Sequence, residues 1–369
     1  MRLLPIDQTY VQDILLRLLG TPSPSGYTDR VVHLVCDELE ILHVPFALTR
    51  RGAIRANLKG EMDGLDRAIV AHIDTLGAMV KGLKANGRLE LVPVGHWNAR
   101  FAEGARCTVF CDHGNHRGTI LPLKASGHTF GPEIDSQPCG WEYLELRIDE
   151  TALNQRDLMH LGVHVGDFVA IDPNPEINPN GYINSRHLDD KAGAAVLLGA
   201  IKAVREAQVT LPISCHALFT ISEEVGSGAS AVLHQDVAEM LTVDNGTTAP
   251  GQNSSEFGVT IAMADMSGPF DYHLTHRIIQ LCQEFGITHQ RDVFRYYRSD
   301  SAAAVEAGND LRTALVTFGI DASHGYERIH WDALESLAKL LTVYMQSPLM
   351  YRRDRYDMGP RVGFPTLPG

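Results

Sequence analysis

The chain has 369 residues, 44% hydrophobic and 21% charged, the make-up of a globular protein long enough for about two domains and a large buried core. Its 45 acidic residues outnumber 32 basic ones for a formal net charge of -13, which repels phosphate backbones and anionic headgroups and sets nucleic acid and membranes aside as partners. No run nears the roughly 18 consecutive apolar residues of a membrane helix, MRLLPIDQTY turns polar at Asp7 too early for a secretory signal, and six scattered cysteines with no C-x-x-C pair suit the reduced thiols of a cytoplasmic protein.

Val11, Ile14, Leu15, Leu18 and Leu19 fall on one face and predict a helix from Tyr10 to Leu19. Gly20 and the Pro-Ser-Pro-Ser-Gly stretch from Pro22 to Gly26 end it. Thr28 is placed to cap a second helix, with Val31, Val32, Val35 and Leu39 as its apolar face. Ala68 to Ala71 reads as a buried strand that stops at His72-Ile73-Asp74. From about Leu76 to Ile171 glycine is frequent and short alternating stretches recur, as at Arg88 to Val94, Thr108 to Cys111 and Glu142 to Ile148, predicting a small all-β unit.

The chain punctuates at Asp172-Pro173-Asn174-Pro175 and returns to α/β at Ile183. Asp189-Asp190 open an Ala-rich helix running to about Val204, followed by a strand from Ile213 to Ile221 and a helix beginning at Gly226 to Leu233. A strand from Met240 to Val243, a helix from Tyr272 to Phe285, a strand from Ala314 to Phe318 and a closing helix from Trp331 to Met345 complete the alternation. The expected fold is α/β: residues 1–75 and 173–346 form one domain, residues 76–172 an inserted β domain, and the Arg- and Pro-rich residues 347–369 a disordered tail.

Several acidic and imidazole residues stand where these strands end. His72 and Asp74 follow the first strand, Glu223 and Glu224 the next, Asp244 another, and His324 follows the last by a short loop; Asp189 opens a helix. In open α/β sheets the ligand crevice lies beyond the carboxyl ends of the strands, so these groups can converge. Crowded carboxylates repel one another and raise each other's pKa, a problem that divalent cations remove. A mixed His/Asp/Glu set suits zinc or cobalt better than calcium or magnesium. Each residue also has a plainer reading: His-x-Asp as a capped turn, Asp189-Asp190 as an N-cap, Glu223-Glu224 as a solvated helix start, Asp244 before Asn245-Gly246 as a turn. The joint placement at element boundaries separates the two readings. Gly226-Ser227-Gly228 lacks nucleophile-elbow spacing, no P-loop or dinucleotide fingerprint occurs, and Cys107, Cys111 and His113 have no standard metal-site spacing.

The ordered set His72-Ile73-Asp74, Leu188-Asp189-Asp190-Lys191, Glu223-Glu224-Val225-Gly226, Val243-Asp244 and His324, with the early Pro24-Ser25-Gly26, resembles the co-catalytic metallopeptidases of family 42, the tetrahedral or glutamyl aminopeptidases. The resemblance runs to about Met345. It implies a zinc-exopeptidase-like α/β/α sandwich with an inserted small β-barrel, two divalent metal ions per chain, and hydrolysis of N-terminal bonds of short peptides. It further implies that Asp189 bridges the metals, that His72 and Asp244 complete one site and Glu224 and His324 the other, and that Asp190 follows through a cis peptide. Asp74 would hydrogen-bond the second nitrogen of His72, and Glu223 would be general base and acid. Homo-oligomers from dimer to dodecamer are also implied. The chain departs from the family's pattern at Thr75 (usually Glu), Lys191 (usually Arg), Arg298-Ser299-Asp300 (usually Gly-Thr-Asp) and around His324. Within the family it looks like the members found with synthesis of the osmoprotectant N-acetylglutaminylglutamine amide. That leaves an amidohydrolase of a blocked dipeptide, or a noncatalytic assembly subunit, as alternatives.

Overall fold

A computed structural model of the chain describes residues 1–355 and 358–368. The tail expected to be disordered includes residues 356, 357 and 369, which lie outside the described residues. Nine strands form the main sheet, in the order Phe46–Leu48, Ile54–Leu58, Leu211–Thr220, Gly60–His72, Val237–Thr247, Arg312–Ile320, Val259–Asp265 and Gly268–Pro269, with His289–Val293 paired to Val259–Asp265. The four central strands, Leu211–Thr220 through Arg312–Ile320, are mutually parallel. Side chains of Leu211–Thr220, Val237–Thr247 and Arg312–Ile320, and of Gly60–His72 from Arg67 onward, are buried almost without interruption, as a sheet covered on both faces requires. Helices Gln8–Leu19, Leu188–Glu206, Trp331–Met345 and Tyr272–Glu284 pack on one another and on this sheet, while Asp29–Ile41 lies against Ile54–Leu58 and Asp300–Glu306 against the Asp244 strand. The result is an α/β/α sandwich.

Strand register sets the site. His72 pairs with Thr220, and Thr242 pairs with Val70, so His72 and Asp244, each two residues further on, reach the same level at the carboxyl ends. Asp244 is itself level with Thr317 on the neighbouring strand.

Between the His72 strand and the Leu188 helix, six strands close a barrel in the order Gly77–Leu83, Leu89–Val94, Leu144–Ile148, Gly114–Pro122, Arg106–Cys111 and Phe168–Ile171. It has its own core, with Val80, Leu89, Val109, Ile120, Leu146 and Val169 at its centre, separate from the core of the large sheet. A small sheet of Glu176–Ile177, Tyr182–Ser185 and Glu327–His330 leads the chain from the barrel back to the Leu188 helix.

Two local expectations change. The segment after Gly226 forms only the single turn Gly228–Ala231 rather than a helix. Its Ala229 N–H donates to the Asp300 carboxylate at 2.6 Å, and Gly228 packs so closely on that carboxylate that a Cβ would overlap it, so the segment is bound to Asp300 rather than to its own next turn. Thr28 precedes helix Asp29–Ile41 without a side-chain capping bond. As the family resemblance implies, a cis peptide bond joins Asp189 and Asp190, which open the Leu188–Glu206 helix with non-helical backbone angles. No helix is long and apolar enough to cross a membrane among the described residues.

Candidate active site

The seven singled-out residues gather at the carboxyl ends of the parallel strands. Asp189, Glu223, Glu224, Asp244 and His324 line a cleft of about 490 Å³, and His72 and Asp74 are buried beneath it. His72 Nε2 lies 3.1 Å from Asp189 Oδ1 and 3.8 Å from Glu223 Oε2. His324 Nε2 lies 3.2 Å from Asp189 Oδ2 and 3.8 Å from Glu224 Oε2. Asp189 therefore presents one oxygen to each imidazole. Two overlapping groups have ligand atoms within 4.8 Å of one another: His72, Glu223 and Asp244, and His72, Asp189 and Glu224.

The hydrogen bonds behind the imidazoles decide what these contacts mean. His72 Nδ1–H donates to the Asp74 carbonyl at 3.0 Å, and His324 Nδ1–H to the His96 carbonyl at 2.9 Å. A carbonyl only accepts, so a neutral ring in either place turns the lone pair of Nε2 toward a carboxylate oxygen. Two lone pairs in contact demand a positive species between them, a proton or a metal ion. In the cation-free protein protons fill that role. Burial depresses both histidines, and the Asp189 hydrogen bonds overcome it, lifting His72 well above its ordinary value and His324 to about 10. Burial pushes the Asp189 carboxyl up, but the bonds from His324 and His72 hold it well below the usual range.

The remaining carboxylates are short of positive charge. Burial pushes Glu224 up to about 8, burial with Asp189 nearby pushes Asp244 up to about 7, and burial raises Glu223 well above its ordinary value. The Asp244 Oδ1 accepts the Asn245 backbone N–H at 2.6 Å, and the Asn245 side-chain amide donates to Asp189 Oδ2 at 2.7 Å. The donor set and the orphaned lone pairs fit divalent cations. A third carboxylate–imidazole group, Asp66, His216 and Asp236, lies nearer the other ends of the strands. There Arg55 donates to Asp236, so a guanidinium supplies the charge.

Asp74 differs in detail from its expected part. His72 uses the Asp74 carbonyl, and the Asp74 carboxylate stands 3.6 Å off. That carboxylate instead accepts Ser25 O–H and the backbone N–H groups of Glu223 at 3.2 Å and Glu224 at 3.4 Å. It holds the two glutamates from behind while its carbonyl orients the histidine. Ser25 comes from the early loop, which Thr75 ties down by exchanging backbone bonds with Ser23 and Ser25. Lys191, where the family has arginine, is buried and donates to the carbonyls of Leu18 and Thr21 at 2.8 and 2.7 Å, closing the end of the first helix. Burial brings its pKa down to about 7.

Residues that sequence reasoning passed over also shape the site. Asn245 and Glu327 bond directly to the ligand-bearing segments, and the buried Tyr297 hydroxyl faces Asp244. Met266, Val225, Tyr296 and Arg298 form the cleft wall. Arg298 was flagged by the altered Gly-Thr-Asp segment; nothing in a lone sequence marks the others. Cys107, Cys111 and His113 form no ligand group among the described residues, and the cysteines are free thiols.

Comparison with known proteins gives the family of the chain. The model of the M42 glutamyl aminopeptidase family matches residues 52–340. The candidate aminopeptidase YhfE of Bacillus subtilis is 37% identical over 339 residues, 92% of this chain and 98% of its own length. The glutamyl aminopeptidase of Lactococcus lactis is 27% identical over 183 residues, 47% of this chain and 49% of its own. Among solved structures, the TET aminopeptidase of Thaumarchaeota archaeon SCGC AB-539-E09 superposes with a TM-score of 0.84 at 19% identity, over 91% of this chain and 96% of that one. The TET1 peptidase of Pyrococcus horikoshii gives 0.81 at 23% identity, over 92% and 100%; at these identities both speak to fold alone. The chain belongs to the M42 family and is a metallo-aminopeptidase, an enzyme that hydrolyses peptide bonds at N-termini.

Proposed function

We propose that this chain is a dinuclear-metal peptidase for short peptides, with Asp189 bridging two divalent cations, zinc or cobalt. His72 and Asp244 hold one cation, and Glu224 and His324 the other. The observation that carries this reading is the pair of imidazole nitrogens, each turned by a carbonyl behind it toward one oxygen of Asp189. When bound, such cations acidify water and polarise the scissile carbonyl. Glu223 takes the proton of the attacking water on its carboxylate and returns it to the leaving amine. Burial raises its pKa above the ordinary carboxylate value, which makes it the stronger base toward that water. Asp74 keeps Glu223 aimed by accepting its backbone N–H.

Residues 1–75 and 173–346 act in this reading as the catalytic domain of a cytoplasmic enzyme. The barrel of residues 76–172 is its self-association domain, by analogy with relatives described as a dodecamer and as assembling into a tetrahedron. A narrower reading places the substrate among blocked dipeptides of the osmoprotectant type. Arg298 favours it: the guanidinium stands where the family has glycine, lines the cleft and is braced by Glu306. With Glu306 balancing its charge, the N–H groups not turned to Glu306 suit the carbonyl oxygen of an acyl or amide group rather than an ammonium, which is itself only a donor.

Metal content after purification, paired with hydrolysis of free and N-acetylated glutamine dipeptides in zinc or cobalt, tests both readings. About two metals per chain and turnover of free-amine peptides alone would support the broad reading and overturn the narrow one. Turnover of the acetylated dipeptide would support the narrow one, and no metal with no turnover would sink both.

A further inference from the structure

Glu327 opens the strand Glu327–His330, is 1% exposed and pairs in register with Ser185. Three residues after Ser185 the partner strand becomes the Leu188 helix. This places the Glu327 carboxylate between two segments that are far apart in sequence. One oxygen accepts the backbone N–H groups of Leu188 at 2.8 Å and Asp189 at 3.2 Å. The other accepts the backbone N–H of His324 at 2.9 Å.

We propose that Glu327 is a positioning residue that sets the distance between Asp189 and His324 and thereby builds the cation position these two share with Glu224. This rests on the dinuclear reading above. The bonded backbone is not self-supporting. His324 sits at φ 66° and His187, just before Leu188, at φ 65°, in a left-handed region that such side chains seldom adopt unless the surroundings hold them there. The Asp189 N–H falls where the backbone angles are non-helical. A neutral amide offers one acceptor oxygen for these three donors, and a carboxylate offers two. Yet a carboxylate here adds negative charge beside Asp189, a cost that bound cations offset. The other position shares Asp189, but its own ligands His72 and Asp244 lie on the parallel strands and take none of these three bonds.

The full-length protein, stripped of metal, is titrated with cobalt by visible absorption and then by chelator competition. Wild type is expected to bind two equivalents. Glu327→Gln is expected to keep one equivalent and bind the other about 10- to 100-fold more weakly, the usual loss when an outer partner of a metal ligand is removed. Arg328→Ala, which removes the neighbouring ion pair with Glu256, is expected to bind both as wild type does. Glu327→Asp keeps the charge with a shorter reach and is expected to fall between. Wild-type affinity for both equivalents in folded Glu327→Gln overturns the positioning role. Should that variant fail to fold, unchanged binding in Glu327→Asp overturns it equally. A wild-type protein that binds no cobalt would instead overturn the dinuclear reading itself.

Discussion

The barrel and the crevice treat carboxylates in opposite ways. In the barrel, Glu145 receives both Lys84 and Arg88, Arg106 forks onto Asp149 at 3.2 and 2.5 Å, and Arg117 forks onto Asp172. Each of these acids has a permanent cation of the chain's own. In the crevice, Asp189, Glu223, Glu224 and Asp244 are met by imidazoles, the side-chain amide and backbone N–H of Asn245, and one another. The first arrangement is complete within the protein. The second needs charge from outside it, and that difference separates a region that holds shape from one that does chemistry.

The strongest way to break this comparison is Glu223→Gln, which removes the proposed proton-accepting group and keeps the shape. Activity is expected to fall about 10²- to 10⁴-fold, the range for losing a general acid–base residue, with metal content unchanged. Both are checked by steady-state kinetics and elemental analysis of the same preparation. Activity within a few-fold of wild type would mean the crevice acids are no more chemical than those of the barrel.

Proton linkage sharpens the comparison next. In the cation-free protein Glu224 and Asp244 sit near 8 and 7, raised first by burial. Between about pH 4 and these values the folded chain holds protons that the unfolded chain has released. Cation-free stability therefore falls as pH rises through that window, by up to about 1.4 kcal/mol per pH unit for each group. Bound cations displace these protons and those that His72 and His324 carry, so loading at pH 6 should release about four protons per chain and loading at pH 9 about two, those of the imidazoles. Titration calorimetry in two buffers of different ionisation heat counts them. Equal heats in the two buffers at pH 6 would contradict the picture.

What the sequence made legible follows the range of each signal. Helices Gln8–Leu19 and Trp331–Met345 were readable from apolar spacing alone, because their buried residues repeat at helical intervals. The strand Gly60–His72 was visible only over Ala68 to Ala71, since its first half is polar and exposed glycine-rich sequence. The gathering of His72, Asp74, Asp189, Glu223, Glu224, Asp244 and His324 was legible because parallel strands bring their carboxyl ends to one edge. Glu327 was not, because it serves backbone N–H groups 138 and 139 residues away, and such acceptors carry no local pattern. The single turn at Gly228 escaped for the same reason: Asp300, 71 residues on, takes its N–H.

The barrel's half of the comparison is tested by Glu145→Gln. Glu145 keeps only 6% of its side chain exposed, while Lys84 and Arg88 are 33% and 31% exposed. Removing the acid leaves two cations that can still reach water, so the cost is that of a partly solvated network rather than of a buried orphan charge. About 1–2 kcal/mol of stability should be lost, read as a melting temperature lower by a few degrees. The values of kcat and KM and the metal content should stay put, since the Glu145 strand Leu144–Ile148 pairs, among the described residues, with strands of the barrel sheet. A change in kcat or metal content without a loss of stability would show that the barrel's ion pairs reach the crevice, and the division of labour between the two regions would fail.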